Sequence, residues 1–198
     1  MTNPEQALAE LKRGNSRFAG EKSKFPNLDK KRISQTFREG QRPFAVVLTC
    51  SDSRTPPLQV FDQGIGDLFV VRVAGNVCDS DVLASIELGV VNCGAMLVVV
   101  MGHRNCGIIT MAVKGEVISE AVGNLIDKIK PAIETVRSVN PEIGEEALIQ
   151  EAAKINAHNV SDDIVNNSRI IFDAVQAGKL KVIAAFYDIE SGVVEWLD

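Results

Sequence analysis

Phe44-Ala45-Val46-Val47-Leu48-Thr49-Cys50-Ser51-Asp52-Ser53-Arg54 is the stretch that decides the fold. An unbroken apolar run gives way abruptly to Cys, Asp and Arg. A short run rich in Val, without polar alternation, is the pattern of a strand buried on both faces. The same pattern recurs at residues 68–73, 95–101 and 180–186. Helix-length segments lie between these runs. Asp79 or Ser80 opens one in which Val82, Leu83, Ile86 and Val90 recur at helical spacing, another begins near Cys106, and long helical stretches cover 125–139 and 145–175. Strands alternating with helices predict an α/β fold with a mainly parallel central sheet flanked by helices. Residues 183–196, with Ser191-Gly192 between two strand-like runs, predict a C-terminal antiparallel edge hairpin.

Upstream of the first strand the period changes. Asn3 can cap a helix whose first turn holds Pro4 and Glu5, with Leu8, Leu11 and Phe18 roughly on one face. A weaker helix is predicted over 28–39, with Ile33 and Phe37 as its apolar pair. Residues 1–39 therefore read as an N-terminal helical arm and 40–198 as the α/β core of a single domain, because the linker-like stretch 20–27 is too short to separate domains. The chain has no internal repeat and no low-complexity tract.

Composition narrows the function. With 198 residues, 45% hydrophobic and 24% charged, the chain fits one compact domain. Its 21 basic and 26 acidic residues give a net charge of -5, which offers no electrostatic basis for nucleic acid or an anionic membrane as partner. The longest apolar run, 95–101, falls far short of the ~20 residues of a bilayer-spanning helix. Glu5, Glu10, Lys12 and Arg13 interrupt the amino terminus, so no secretory core is present there and a cytoplasmic location is expected. Four cysteines in a chain able to bury its own core read as thiols or metal ligands rather than staples.

In open parallel sheets, ligands bind beyond the carboxyl ends of the strands. The first run ends in Cys50, and the third leads into Gly102-His103-Arg104-Asn105-Cys106-Gly107. Two thiolates and an imidazole suit zinc, and three protein ligands leave the fourth tetrahedral position for water. Spacing alone is equally compatible with ordinary buried cysteines and a hydrogen-bonded loop histidine. Asp52 and Arg54, two apart, would fall on one side of an extended segment, where a paired carboxylate stays ionised and accepts hydrogen bonds. A turn aspartate beside a surface arginine is the plainer alternative.

Cys50-Ser51-Asp52-Ser53-Arg54, followed by Gly102-His103-Arg104-Asn105-Cys106-Gly107, resembles the β-class carbonic anhydrases. The resemblance extends through residues 66–72, Ala74-Gly75-Asn76 and Tyr187-Asp188, most of the chain. It implies a zinc enzyme interconverting carbon dioxide and bicarbonate, with one Zn(II) per chain held by Cys50, His103 and Cys106. It implies that Asp52 orients a zinc-bound hydroxide, or displaces it in a closed state, and that Arg54 holds Asp52 off the metal. Gln41 matches a glutamine that donates to substrate across a subunit interface, and Phe69 an apolar wall of the carbon dioxide pocket. A homodimer or a dimer of dimers follows, with the arm's Leu8, Leu11, Phe18 and Phe37 buried on a neighbouring subunit.

Two positions depart from the pattern: Leu88 stands where many members have tyrosine, and Val47 where the bicarbonate-regulated subgroup has tryptophan. Arg72 and Tyr187 match the rest of that regulatory triad, and the incomplete set predicts no bicarbonate site of that kind. Cys78 and Cys93 read as core or loop thiols and His158 as a surface residue. Hydrolysis of carbonyl sulfide or carbon disulfide, and a non-catalytic zinc protein, are the competing functions; Asp52 and Arg54 disfavour the latter.

Overall fold

The computed structural model describes residues 1–197. Its sheet has five strands in the order β2-β1-β3-β4-β5. β1 (Ala45–Thr49), β2 (Leu68–Arg72), β3 (Leu97–His103) and β4 (Lys181–Tyr187) are parallel, and β5 (Val194–Trp196) runs antiparallel to β4 as the predicted edge hairpin. All five residues of β1 are buried because both sheet faces are covered. Ala45 and Val47 join Val99, Met101 and Ile183 on one face, while Val46 and Leu48 join Val98, Val100 and Ala184 on the other.

The first face is covered by α1 (Pro4–Ala19) and the short α3 (Pro57–Val60). The second carries α4 (Ser80–Val91), α7 (Glu145–Asn167) and α8 (Arg169–Gln176). α5 (Gly107–Lys114) and α6 (Glu120–Val139) pack with α7 into a third apolar cluster that contains Cys50 and Cys106. The cluster thus adjoins the strand ends where the sequence places its reactive side chains.

Three expectations need correction. Residues 145–175 form two helices, not one, because Ser168 is extended and caps α8: its hydroxyl accepts from Ile171 N–H and donates to Glu87. α6 starts upstream of 125, where Ser119 caps it. The α1 stripe is buried by this chain itself and not by a neighbour. Ala7 and Leu11 are fully buried in the first core cluster, and Phe18 packs against it. In contrast α2 (Lys30–Glu39) has no buried residue, and Phe37 is 89% exposed.

α1 lies close because Gly14 has no side chain: a Cβ there would stand 1.8 Å from the Phe61 carbonyl oxygen. Next to it, the Asn15 amide donates to Val60 and Gly192 carbonyls and accepts from Val194 N–H, tying the helix to β5. Backbone cannot yield as a side-chain tip can. Gly14→Ala should therefore lower stability by about 3 kcal/mol, read as an earlier urea midpoint. An unchanged midpoint would refute this tight approach.

Candidate metal centre

β1 and β3 are adjacent and in register, Thr49 opposite Met101, so their carboxyl ends emerge side by side. Cys50 follows β1, His103 ends β3, and Cys106 is the N-cap of α5. All three are buried, and their donor atoms lie within 4.8 Å of one another. The Cys50 and Cys106 Sγ atoms are 3.8 Å apart. Two sulfurs at about 2.3 Å from a tetrahedral zinc would be separated by about 3.8 Å, so the pair already has the required edge.

His103 supplies a second test. Its Nδ1 lies 2.9 Å from the Arg104 carbonyl, which can only accept, so Nδ1 carries the proton. Nε2 is then a bare lone pair, and it is buried without a partner. Leaving such an atom unpaired costs about 1–3 kcal/mol, a penalty that a ligand role removes. Arg104 is itself held: its N–H donates to Tyr187, and its guanidinium pairs with Asp188 and Glu190. The β4–β5 turn therefore fixes the carbonyl that fixes the ring, the usual support for a histidine ligand.

The thiols are poised for a cation. Donation from Cys106, helped by the Gly75 N–H, pulls the Cys50 thiol well below its ordinary value against the opposing effect of burial. Cys106 is pushed up, because it donates to Cys50 and a second buried charge beside the first is disfavoured. The Ile108 and Ile109 N–H groups at the start of α5 work the other way and favour the Cys106 thiolate. A soft divalent ion would resolve the conflict by neutralising both sulfurs. The donor set thus fits zinc.

Asp52 and Arg54 are paired, but not through an extended segment. Residues 52–55 turn, with Thr55 N–H bonded to the Asp52 carbonyl. The Asp52 carboxylate takes Arg54 Nε and backbone N–H on Oδ1, each at 2.9 Å, and Arg54 Nη2 on Oδ2 at 2.7 Å. Those bonds from Arg54 hold its carboxyl well below the usual range. Arg54 Nη2 also reaches the Asn105 carbonyl at 3.3 Å, linking the loop of Cys50 to that of Cys106. Asp52 itself lies outside the close group of donors.

The other sequence candidates fall elsewhere. Gln41 is exposed before β1, at the opposite end of the strand from Cys50. Phe69 pairs with Val46, about 13 Å along the strand from the level of Cys50. Its ring packs against α4 at Gly89. This chain alone brings neither to the metal centre. His158 is half-buried rather than a surface residue, because α7 is covered on most sides. Among the described residues, Cys50, His103 and Cys106 form the one such group of donors, and no helix is long and apolar enough to cross a membrane.

The sequence profile of the carbonic anhydrase family matches residues 45–194. The carbonic anhydrase of Mycolicibacterium smegmatis is 34% identical over 202 residues, covering 98% of this chain and 93% of that one. Carbonic anhydrase 2 of Mycobacterium tuberculosis is 31% identical, over 96% of this chain and 91% of its own. One of two tetrameric β-carbonic anhydrases from Sordaria macrospora superposes with a TM-score of 0.77 at 24% identity, covering 98% of this chain and 95% of that one. A family match that spans β1 to β5 and encloses the Cys-His-Cys cluster settles the assignment: this chain belongs to the β-carbonic anhydrase family of enzymes.

Proposed function

We propose that the chain catalyses reversible hydration of carbon dioxide to bicarbonate and a proton, using one zinc ion held by Cys50, His103 and Cys106. The observation that carries this reading is the unpartnered Nε2 of His103 facing two thiols at a tetrahedral edge, beside a carboxylate already locked by Arg54. Zinc, when bound, supplies the Lewis acidity that makes water nucleophilic near neutral pH. The protein does the rest. Arg104 and the β4–β5 turn hold the His103 tautomer, and Arg54 holds Asp52 as a permanent acceptor. Ile109 and Ile129 keep the ligand side dry, which strengthens every charge interaction within it.

The assembly follows from what the arm leaves uncovered. Phe25, Leu28, Ile33 and Phe37 are exposed on or before α2, an apolar strip suited to a second copy of the chain. Gln41 follows directly on that strip, so pairing there would offer it to a neighbour's site, the role that the family resemblance assigns it. Sedimentation should find at least a dimer, and an active monomer would refute this arrangement.

The function is tested by stopped-flow carbon dioxide hydration on zinc-counted protein from about pH 6.5 to 9. Near one zinc per chain with a rate that rises with pH is expected. Full zinc without hydration at any pH would overturn the reading and turn attention to carbonyl sulfide and carbon disulfide.

A further inference from the structure

Arg72 ends β2, the edge strand, opposite Thr49, so its side chain stands beside the loop that carries Cys50. Its Nε and Nη2 donate to the Cys50 carbonyl at 3.0 and 2.9 Å. Nη2 also reaches the Asp52 carbonyl, and Thr55 Oγ1 at 3.2 Å. The Thr55 hydroxyl bonds to the same two carbonyls, at 3.1 and 2.9 Å. One guanidinium and one hydroxyl therefore gather the backbone of a turn that has no ladder to hold it. Among the described residues no carboxylate pairs with Arg72, so its charge is directed at the Cys50 and Asp52 carbonyls and the Thr55 hydroxyl.

We propose that Arg72 is a positioning residue: it fixes the backbone of residues 50–55 and so sets where the Asp52–Arg54 pair stands relative to Cys50. This rests on the hydration reading above, because Asp52 has a task to be positioned for only there. The planar fork is essential to the geometry. A lysine offers a point charge that can serve one carbonyl but cannot span Cys50 and Asp52 at fixed angles. The outer side of Arg72 is exposed, which leaves room for a small cation to enter if the side chain is removed.

The test uses the full zinc-loaded chain with Arg72→Ala and Arg72→Lys. Two readouts are taken: amide exchange over residues 50–55, and kcat/KM for hydration. Arg72→Ala should keep its zinc, lose kcat/KM by roughly 10- to 100-fold and exchange the 50–55 amides roughly tenfold faster, with β3 and β4 unchanged. Guanidinium at about 50 mM should recover part of both losses in Arg72→Ala and none in Arg72→Lys. Unchanged exchange and unchanged kcat/KM would overturn the proposal. So would a loss of protection spread evenly across the sheet without guanidinium recovery, which is the result of a merely structural role. Wild-type protein with full zinc and no hydration would overturn the hydration reading instead, and the exchange arm would still decide whether Arg72 holds the turn.

Discussion

Asp52→Asn should lower kcat/KM for hydration by roughly 100- to 1,000-fold while leaving zinc content close to wild type. The size follows from counting acceptor sites. A carboxylate offers about four lone-pair directions. Arg54 occupies both on Oδ1, with its Nε and its backbone N–H, and one on Oδ2, with Nη2. One direction on Oδ2 is left to accept a proton-bearing group, and Arg54 fixes where it points. The substitution is isosteric, so packing survives, but neither amide orientation reproduces this arrangement. With the amide oxygen kept towards Nε, the nitrogen confronts Nη2 and becomes a donor where an acceptor is needed. With the amide flipped, its nitrogen faces two donors at once. Stopped-flow rates with parallel zinc counts check this result, and a variant with wild-type kcat/KM would remove Asp52 from the reaction.

The sequence was legible where chemistry follows from strand order. β1 and β3 could be read as doubly buried, and the reactive residues after each then had to emerge on one edge of the sheet. The antiparallel β4–β5 hairpin was legible for the same reason, from a turn pair between strand-like runs. What escaped was whatever depends on tertiary partners. Asp52 and Arg54 meet because residues 52–55 turn, not because of strand alternation, and sequence spacing alone does not separate the two. The α1 stripe covers its own sheet because Gly14 permits contact with the Phe61 carbonyl, a fit that no periodicity announces. Ser168 caps α8 by accepting from the Ile171 N–H, but its further bond to Glu87, far away in sequence, has no local signal. Arg72 left no signal for its positioning role because its main partners are the Cys50 and Asp52 backbone carbonyls, which look alike in every sequence.

Zinc loss on changing a single ligand is the second large effect expected, and Cys106→Ser is the cleanest way to see it. Cys106 is the N-cap of α5 and makes no side-chain capping bond there. Serine is a favoured N-cap, so the metal-free variant should be at least as stable as the metal-free wild type. Its hydroxyl does not ionise near neutral pH and is a poor zinc ligand, so zinc should fall from near one per chain to under about a tenth, with hydration lost alongside. The two effects separate folding from ligation. A ligand that binds only the folded chain stabilises it by about 2.7 kcal/mol when present at 100 times its Kd. Chelator should therefore lower the melting temperature of wild type and leave Cys106→Ser where it was. His103 reinforces the contrast, since its Nε2 loses its partner when the metal leaves wild type and has none from the start in the variant. A variant that keeps about one zinc per chain, or one that chelator destabilises as much as wild type, would show that Cys106 is not a ligand and that the metal centre has been built from the wrong residues.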